Sequence, residues 1–281
     1  MAAAAYDGNM SLDFDDDEIN RYARHILLAE VGGTGQARLR AASVLVVGAG
    51  GLGSPLLLYL AAAGVGRIGV IDGDVVELSN LQRQIAHTTD RIGTAKVESA
   101  ALAARAINPK VQLVLHRGRL TPANALELVA GYDIVCDGTD NFAARFLVAD
   151  ACVLARRTLV SAAVLRFEGQ LSVFRPHAGG PCYRCLHPEP PPPGLVAGCA
   201  EAGVLGVVTG VMGTLQATEV LKEILGIGES LAGRLLIWDA LATRFRNVRL
   251  HPDPACTACG LNATLHDLSA HAATEGSTCV N

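Results

Sequence analysis

Four cysteines form the clearest chemical feature of the sequence. They stand in two Cys-x-x-Cys pairs, Cys182/Cys185 and Cys256/Cys259, and each pair is flanked by glycine or proline residues that favour a turn. Two such knuckles supply four thiolates for a tetrahedral Zn²⁺ site. Since no ligand position is left open, the expected metal is structural. The alternative is a redox-active pair, but neither pair has the surrounding pattern of a thioredoxin-like motif.

A glycine-rich turn is the second feature that could support chemistry. It joins a predicted buried strand, Val44–Val47, to a helix predicted over about Ser54–Ala63. The glycines of its G-x-G-x-x-G pattern are Gly48, Gly50 and Gly53. Such a turn lets the backbone approach a phosphate, and the helix N-terminus that follows offers N–H groups and a partial positive charge to an anion. The pattern predicts a bound nucleotide, and a turn that serves packing alone is the alternative.

Charged residues that follow the next strand would surround such a nucleotide. Asp72 comes after a predicted strand, Arg67–Ile71, where the motif places a carboxylate for the ribose hydroxyls. Arg83 and Lys96 are the next candidates and would bind phosphate, although both could be ordinary surface residues. Basic side chains around a triphosphate favour ATP over NAD, because hydride transfer does not need this neutralisation.

Two aspartates end a further strand and suggest a divalent metal. The strand is predicted over Tyr132–Cys136, and Asp137 and Asp140 follow it. Carboxylates at the C-terminal end of a strand, beside a nucleotide, can hold Mg²⁺ together with substrate phosphates. One of them could instead cap the next helix. We assign Asp140 to the metal or the phosphate and Asp137 to a structural role.

The elements that must position these residues alternate between strand and helix. Up to about residue 165 their order is typical of a Rossmann-like, doubly wound α/β fold with a mainly parallel sheet. Glu168–Phe174 then alternates polar and apolar residues, which indicates antiparallel pairing. A long apolar helix is predicted over Val204–Leu225, and the last strands are predicted over Arg234–Asp239 and Phe245–Leu250.

The composition excludes several classes of protein. A net charge of −4 and a pI of about 6.1 argue against a general nucleic-acid binder. The acidic N-terminal region does not fit a signal peptide, and the apolar runs are shorter than the ~18 residues that suggest a membrane span. We expect a cytoplasmic protein without nucleic-acid or membrane partners. Its eight cysteines are then metal ligands or thiols rather than disulfides.

Eight segments together resemble the ThiF/MoeB/HesA family, the bacterial relatives of the adenylation domain of ubiquitin-activating E1 enzymes. They span roughly residues 18–260 and read RYARHILL, VVGAGGLGSP, DGDVVELSNLQRQ, GTAKVESA, DGTDN, EGQLSVF, GGPCYRCL and PACTACG. The resemblance implies an ATP-dependent adenylyltransferase that activates the C-terminal glycine carboxylate of a small ubiquitin-like sulfur-carrier protein and releases pyrophosphate. It also implies that the four knuckle cysteines are the family's zinc ligands.

The resemblance implies roles for individual residues as well. Asp72 would hold the ribose, while Asp140 and Asn141 would serve Mg²⁺ and phosphate. Arg24, in the RYARHILL helix, would reach across a homodimer to the ATP of the other subunit. The remaining residues implied at the nucleotide are Gly48, Gly50, Gly51, Gly53, Ser79, Asn80, Leu81, Gln82, Arg83 and Lys96.

The resemblance also predicts the organisation of the chain. One adenylation domain is expected over residues 18–260, with its nucleotide-binding part over about 40–165 and its carrier-binding and zinc part over about 166–260. Residues 1–17 are expected to be a disordered acidic leader and residues 261–281 a loose C-terminal tail. Some relatives add a rhodanese-like sulfurtransferase domain. The chain after Gly260 is too short for one, so that second activity is not expected.

Cys199 has two interpretations. It stands in a glycine-rich loop over residues 194–203, where sulfur-transferring relatives use a cysteine to form a thioester or an acyl disulfide with the carrier. A reactive thiol should be exposed and near positive charge, and the local sequence supplies little of that. In members of the family that only adenylate, this cysteine would be dispensable.

The sequence gives little information about which carrier protein is the substrate. The segments GGPCYRCL and GVLGVVTGVMG favour the small subunit of molybdopterin synthase, and hence molybdenum cofactor biosynthesis. A carrier for thiamine-thiazole synthesis or for tRNA thiolation is the alternative with the same chemistry. Two further hypotheses are an NAD-dependent oxidoreductase built on the same glycine turn and a non-catalytic scaffold that binds a ubiquitin-like protein.

Overall fold

One mixed sheet with helices on both faces organises the chain. The computed structural model describes residues 12–192 and 202–275. The strands are β1 (Ser43–Val47), β2 (Arg67–Asp72), β3 (Gln112–Arg117), β4 (Ile134–Asp137), β5 (Thr158–Leu165), β6 (Glu168–Phe174), β7 (Arg234–Asp239) and β8 (Arg244–Arg249). The helices are α1 (Asp16–Ile26), α2 (Gly32–Ala41), α3 (Gly53–Ala63), α4 (Lys96–Ile107), α5 (Ala125–Ala130), α6 (Phe142–Leu154), α7 (Tyr183–Leu186), α8 (Gly206–Leu225) and α9 (Ser269–Glu275).

The order of the strands creates a crevice at the centre of the sheet. The strands lie in the order β3-β2-β1-β4-β5-β6-β7-β8. The pairs from β3 to β5 are parallel and those from β5 to β8 are antiparallel, which confirms the predicted Rossmann-like sheet that continues into antiparallel strands. The chain runs outward from β1 to β3 and then returns to β4, which pairs with β1 on its other side. Doubly wound sheets bind ligands outside the carboxyl ends of the strands at such a reversal.

Both faces of the central strands are buried, which fits their nearly continuous apolar sequence. Val44 and Val46 pack with apolar residues of α3, α4 and α8 on one face, which we call the first face. Leu45 and Val47 pack with residues of α5 and α6 on the second face. Helices on both sides therefore fix the strand ends that border the crevice. Within the described ranges, no helix is long and apolar enough to span a membrane.

Backbone contacts close the glycine turn and leave no room for a side chain at Gly53. A Cβ atom on Gly53 would lie 1.9 Å from the carbonyl oxygen of Gly48. Gly48 itself has a φ of 95°, in the left-handed region that favours glycine. The N–H of Gly48 donates to the carbonyl oxygen of Ile71 (2.8 Å), and that of Gly138 donates to the carbonyl oxygen of Val47 (2.9 Å). The ends of β1, β2 and β4 thus meet at backbone-contact distance.

The structure differs from the sequence prediction near both ends of the chain. Helix α1 begins at Asp16, inside the predicted leader, because Asp15 and Glu18 each accept the other's backbone N–H in a capping box. Residues 1–11 of that leader lie outside the described residues. The expectation of a loose tail is wrong for residues 261–272, since Leu268 is only 5% exposed and α9 follows it. Burial of Leu268 against α6 and α7 orders this segment.

Candidate functional site

A cavity of about 740 Å³ occupies the crevice at the carboxyl ends of the strands. Gly48, Gly50 and Gly51 of the glycine turn form part of its wall. The polar and charged side chains of the wall come from Asp72, Asp74, Arg83, Gln84, Lys96, Arg119, Thr139, Asp140, Asn141, Arg145, Thr209 and His271. A glycine turn, a helix N-terminus and several cations around one cavity suit an anionic nucleotide.

Two side chains hold the glycine turn at Ala49. The N–H of Ala49 donates to Oδ2 of Asp72 (2.8 Å), and its carbonyl oxygen accepts a hydrogen bond from Nε2 of His87 (2.9 Å). The other oxygen of Asp72 accepts the N–H of Asp74 (2.8 Å). Asp72 therefore fixes the turn and also lines the cavity in which it was predicted to hold a ribose. His87 shares the task of holding the turn, and the sequence did not single it out.

The buried His87 holds the turn as a neutral ring. Burial lowers the pKa of His87, and the positive charges of Lys96 and Arg91 lower it further, against the opposing effects of the Ala49 carbonyl and Asp72. Its Nδ1 lies 2.9 Å from the hydroxyl of Ser99. A neutral imidazole that donates from Nε2 can accept that hydroxyl proton at Nδ1. The carbonyl of Ala49 is thus held by an uncharged donor.

Two predicted cations, Lys96 and Arg83, face the cavity from the side of the first face. Lys96 is 7% exposed, and its Nζ donates to Oδ2 of Asp74 (3.0 Å). Burial opposes ionisation of Asp74, but the hydrogen bond from Lys96 and the charge of Arg119 hold the pKa of this carboxyl below its usual range. Arg83 donates to the carbonyl oxygen of Ser79 (3.1 Å) and lines the same cavity. Both cations are therefore positioned before any ligand arrives.

Asp137 and Asp140 have different surroundings. Asp137 is 1% exposed and accepts hydrogen bonds from the hydroxyls of Thr139 (2.7 Å) and Ser161 (2.8 Å). Asp140 is exposed on the cavity wall. The cap of α6 is Asn141, whose side chain accepts a backbone N–H of the first turn (2.9 Å), so neither aspartate caps this helix. Asp137 is a structural carboxylate, and Asp140 is placed to meet a ligand.

The loop after β2 contributes fewer residues to the wall than predicted. Ser79, Asn80, Leu81 and Gln82 are not among the described residues that line the cavity. They belong to a 3₁₀ turn and its continuation, where the Asn80 side chain accepts the N–H of Glu77 (3.1 Å). This turn orients the two residues that follow Gln82, Arg83 and Gln84, towards the cavity.

Two further predicted residues, Gly53 and Arg24, lie away from the wall that the described residues form. Gly53 sits behind the glycine turn, where its hydrogen side chain permits the close contact with Gly48. Arg24 is exposed on α1. Cys199 lies outside the described residues, so its role stays a prediction.

The structure adds Gln84 and Arg145 to the predicted site. Gln84 is 4% exposed and lines the cavity, and its buried Oε1 has no hydrogen-bond partner among the described residues. Arg145 donates to the carbonyl oxygen of Thr139 (3.0 Å) and so supports the loop that carries Asp140. Arg145 lies one helical turn after the Asn141 cap, a spacing that could have indicated it.

On the side of the second face, apolar residues line the cavity together with Asp140, Asn141 and Arg145. Leu120 and Pro122 follow β3, while Ala143 and Leu147 belong to α6. His271 of α9 completes this side. The cavity thus has Lys96 and Arg83 on the side of α4, and the apolar residues Ala143 and Leu147 beside Arg145 on the side of α6. The cations suit the phosphates of a nucleotide, and the apolar residues suit its base.

The four predicted zinc ligands come together on the second face, away from this cavity. Their sulfur atoms all lie within 4.8 Å of one another. The Sγ–Sγ distance is 3.8 Å for Cys182–Cys185, 3.5 Å for Cys182–Cys256 and 3.4 Å for Cys185–Cys259. Sulfurs at the corners of a tetrahedron around zinc lie about 3.8 Å apart, because the Zn–S bond is about 2.3 Å long. These distances suit a Zn²⁺ ion and are far too long for disulfide bonds.

Comparisons with known sequences agree with these motifs. The sequence model of the ThiF family matches residues 22–258. The cattle (Bos taurus) protein adenylyltransferase and sulfurtransferase MOCS3 is 58% identical over 253 residues, which cover 90% of this chain and 55% of that protein. The maize (Zea mays) adenylyltransferase and sulfurtransferase MOCS3-1 is 53% identical over 260 residues, which cover 92% of this chain and 54% of that protein. The chain spans about half the length of these relatives.

Solved structures share the fold at low sequence identity. The crystal structure of E. coli MccB has a TM-score of 0.77 at 23% identity, covering 89% of this chain and 75% of that one. The crystal structure of E. coli MccB with ATP has a TM-score of 0.74 at 23% identity, covering 88% and 75%. At this identity the likeness shows the fold alone.

The geometry of the cysteine cluster predicts that zinc stabilises the fold. We expect the purified protein to contain one zinc ion per chain, and Cys256→Ser to lose it with a fall of ~3 kcal/mol or more in the free energy of unfolding. Metal analysis and denaturant unfolding measure the two effects. Cys152→Ala is the control, because it removes a buried thiol outside the cluster and should keep the zinc. A Cys256→Ser protein that still holds one zinc ion would contradict the assignment.

Proposed function

Since the chain belongs to the ThiF family, we propose that it adenylates the C-terminal glycine carboxylate of a small ubiquitin-like sulfur-carrier protein. ATP is the nucleotide, and pyrophosphate is the product. The observation that carries this proposal is the meeting of Arg83, Lys96 and Asp140 with the glycine turn around one cavity. An NAD-dependent oxidoreductase would share the turn, but two positioned cations and an exposed acid suit a triphosphate better.

The proposed reaction requires the protein to align the reacting groups and to neutralise the charge of the phosphates. A carboxylate oxygen of the carrier attacks the α-phosphorus of ATP, and the bond from that phosphorus to the oxygen bridging to the β-phosphate breaks. The attacking group is already an anion, so no general base is needed. Lys96, held by Asp74 at 3.0 Å, and Arg83 would offset the negative charge that develops on the leaving pyrophosphate.

We further propose that Mg²⁺ accompanies the nucleotide, with Asp140 as its ligand from the protein. Within the described residues, the carboxylates around the cavity form no cluster of three metal ligands. Mg²⁺ commonly binds through one or two carboxylates together with substrate phosphates and water, which a single exposed aspartate satisfies. When bound, the ion would neutralise part of the phosphate charge. Asn141, which caps α6 beside Asp140, would keep that carboxylate at the wall.

A second cavity of about 360 Å³ offers the carrier's C-terminal segment a path to the nucleotide. It shares Asp140, Asn141, Arg145 and Val164 with the first cavity. From there it follows the face of β5, β6 and β7 that lies opposite α8. The residues of this face that line it include Ser161, Ala163, Leu165, Gln170, Ser172 and Leu235. We propose that the carrier docks on this sheet face and that its last residues enter the second cavity.

The outer edge of that sheet face is basic. Through the antiparallel register, Arg246 pairs with Ile237, which pairs with Gln170, so Arg246 lies on the same face as the second cavity. Arg244 lies two residues earlier on this face, and both arginines are exposed. A basic rim suits a carrier with an acidic docking surface.

Among the carriers considered, we propose the small subunit of molybdopterin synthase. The segments GGPCYRCL and GVLGVVTGVMG support this choice. The names of the cattle and maize relatives join adenylyl transfer to sulfur transfer, which agrees with a sulfur carrier as the substrate.

We also propose that the chain acts as a homodimer in which Arg24 completes the site of the other subunit. Arg24 is exposed on α1 and is not among the described residues that line its own cavity. Leu27 and Leu28 beside it are 73% and 52% exposed, an apolar surface that a second copy would cover.

Exchange of labelled pyrophosphate into ATP tests the proposed reaction. We expect exchange that depends on the molybdopterin-synthase carrier, and Lys96→Ala should lower its kcat/KM by about 100-fold, because a positioned cation is lost. Arg105→Ala is the control, since Arg105 is exposed at the other end of α4. Absence of exchange with this carrier would contradict the choice of substrate. NAD bound more tightly than Mg-ATP would favour an oxidoreductase, and carrier binding without exchange would favour a scaffold.

Charge reversal on β8 tests the proposed docking face. Arg246→Glu should raise the KM for the carrier by about tenfold and leave the KM for ATP unchanged, because the change lies far from the nucleotide. Arg249→Glu is the matched control on the same strand, where an odd spacing of three residues places the side chain on the opposite face. Equal effects of the two substitutions on the KM for the carrier would contradict the docking face.

Mixing of two inactive variants tests the proposed dimer. Arg24→Ala and Lys96→Ala should each lose most activity alone. When their subunits are exchanged, half of the dimers contain one of each, and such a dimer has one complete site, so about a quarter of the wild-type activity should return. A monomeric wild-type protein in light scattering, or no recovery on mixing, would contradict the shared site.

A further inference from the structure

The segment that follows the zinc cluster is anchored along its length. The N–H groups of Thr264 and Leu265 donate to the carbonyl oxygen of Thr257 (2.9 and 3.0 Å), and Leu265 packs against the cysteine cluster. Leu268 is 5% exposed and packs with apolar residues of α6 and α7 on the second face of the sheet. Helix α9 begins at the next residue, Ser269. Residues 261–272 therefore run as a fixed strap from the zinc site to α6.

A buried carboxylate fixes the end of this strap. Asp150 of α6 is 1% exposed and accepts two hydrogen bonds from Arg184, both of 2.8 Å. Its Oδ2 also accepts a hydrogen bond from Nε2 of His271 (2.8 Å). Although burial opposes ionisation, His271 and Arg184 hold the pKa of Asp150 below its usual range. The imidazole of His271 is therefore held in place by an ionised, buried partner rather than by solvent.

This position brings His271 into the nucleotide cavity. Its side chain is 13% exposed and forms part of the cavity wall. Ala143 and Leu147 line the same side of the cavity, and they share one side of α6 with Asp150, because the spacings of four and three residues repeat the helical turn. Only about 4.5 Å of helix separates Leu147 from Asp150. The cations Arg83 and Lys96 lie across the cavity, on the side of the first face.

We propose that the strap of residues 261–272 holds His271 permanently in the wall of the nucleotide pocket and that His271 contacts the purine base of ATP. The inference rests on the proposed use of ATP. It assigns a binding function to a segment whose sequence carries no nucleotide motif. Arg184 stands between the cysteines Cys182 and Cys185 of the zinc site. The hydrogen bonds of Asp150 with Arg184 and His271 therefore join the zinc site to the part of the pocket proposed to hold the base.

Binding measurements with His271→Ala test the proposal. We expect ATP to bind about tenfold more weakly to this variant, as the loss of one close polar contact implies. Inorganic tripolyphosphate, which carries the phosphate charge but no base, should compete equally well with a labelled nucleotide on wild type and variant. His266→Ala is the matched control, because His266 is exposed on the same strap and should leave both affinities unchanged.

A second variant covers the case in which His271→Ala does not fold. His271→Gln keeps an amide N–H close to Asp150 but removes the ring, so it should keep its zinc and still bind ATP more weakly. If a folded variant binds ATP as the wild type does, or if ATP and tripolyphosphate weaken equally, the proposal is overturned. Tight ATP binding by the wild type without carrier-dependent exchange would overturn the proposed reaction and leave this inference standing. Failure of the wild type to bind ATP would overturn both.

Discussion

The close approach of three strand ends is the constraint on which the site depends. Gly48 and Gly53 lie so near each other that a Cβ on Gly53 would be 1.9 Å from the Gly48 carbonyl oxygen. Hydrogen bonds from Gly48 to Ile71 and from Gly138 to Val47 then tie β1 to β2 and β4 beyond the regular ladder. The cations, the acids and the part of the wall proposed to hold the base are all positioned around this contact.

Buried polar side chains preserve this geometry. Asp72 accepts the N–H of Ala49, and His87 donates to the carbonyl oxygen of the same residue. Asp137 holds the loop after β4. Gln216 of α8, fully buried, donates to the carbonyl oxygens of Asp137 and Val160, so a helix packed on the first face also fixes the strand ends. Groups of this kind are costly to bury unless they are paired. Their concentration here indicates that the cavity is preorganised, which favours a reaction that depends on alignment.

The sequence predicted features that depend on local pattern. Residue spacing alone indicates the glycine turn, the strands on either side of it and the two Cys-x-x-Cys pairs. The sequence is therefore enough to place these features. It could not show which residues of the loop after β2 face the cavity, because a 3₁₀ turn over Leu78–Asn80 decides that orientation. It also missed the ordered strap, since the burial of Leu268 and the bond from His271 to Asp150 are contacts with distant parts of the chain. Arg24 remains a prediction from resemblance.

Transfer of AMP to the carrier's C-terminal carboxylate is the step on which the proposed function rests. Mass spectrometry of both proteins after a single turnover, quenched in acid, tests it directly. We expect a carrier whose mass has risen by one AMP group on its terminal glycine, and no change in a carrier that lacks this glycine. AMP found on this protein, or on a side chain of the carrier, would contradict the proposed transfer, and so would an unmodified carrier in a mixture where Mg-ATP is bound.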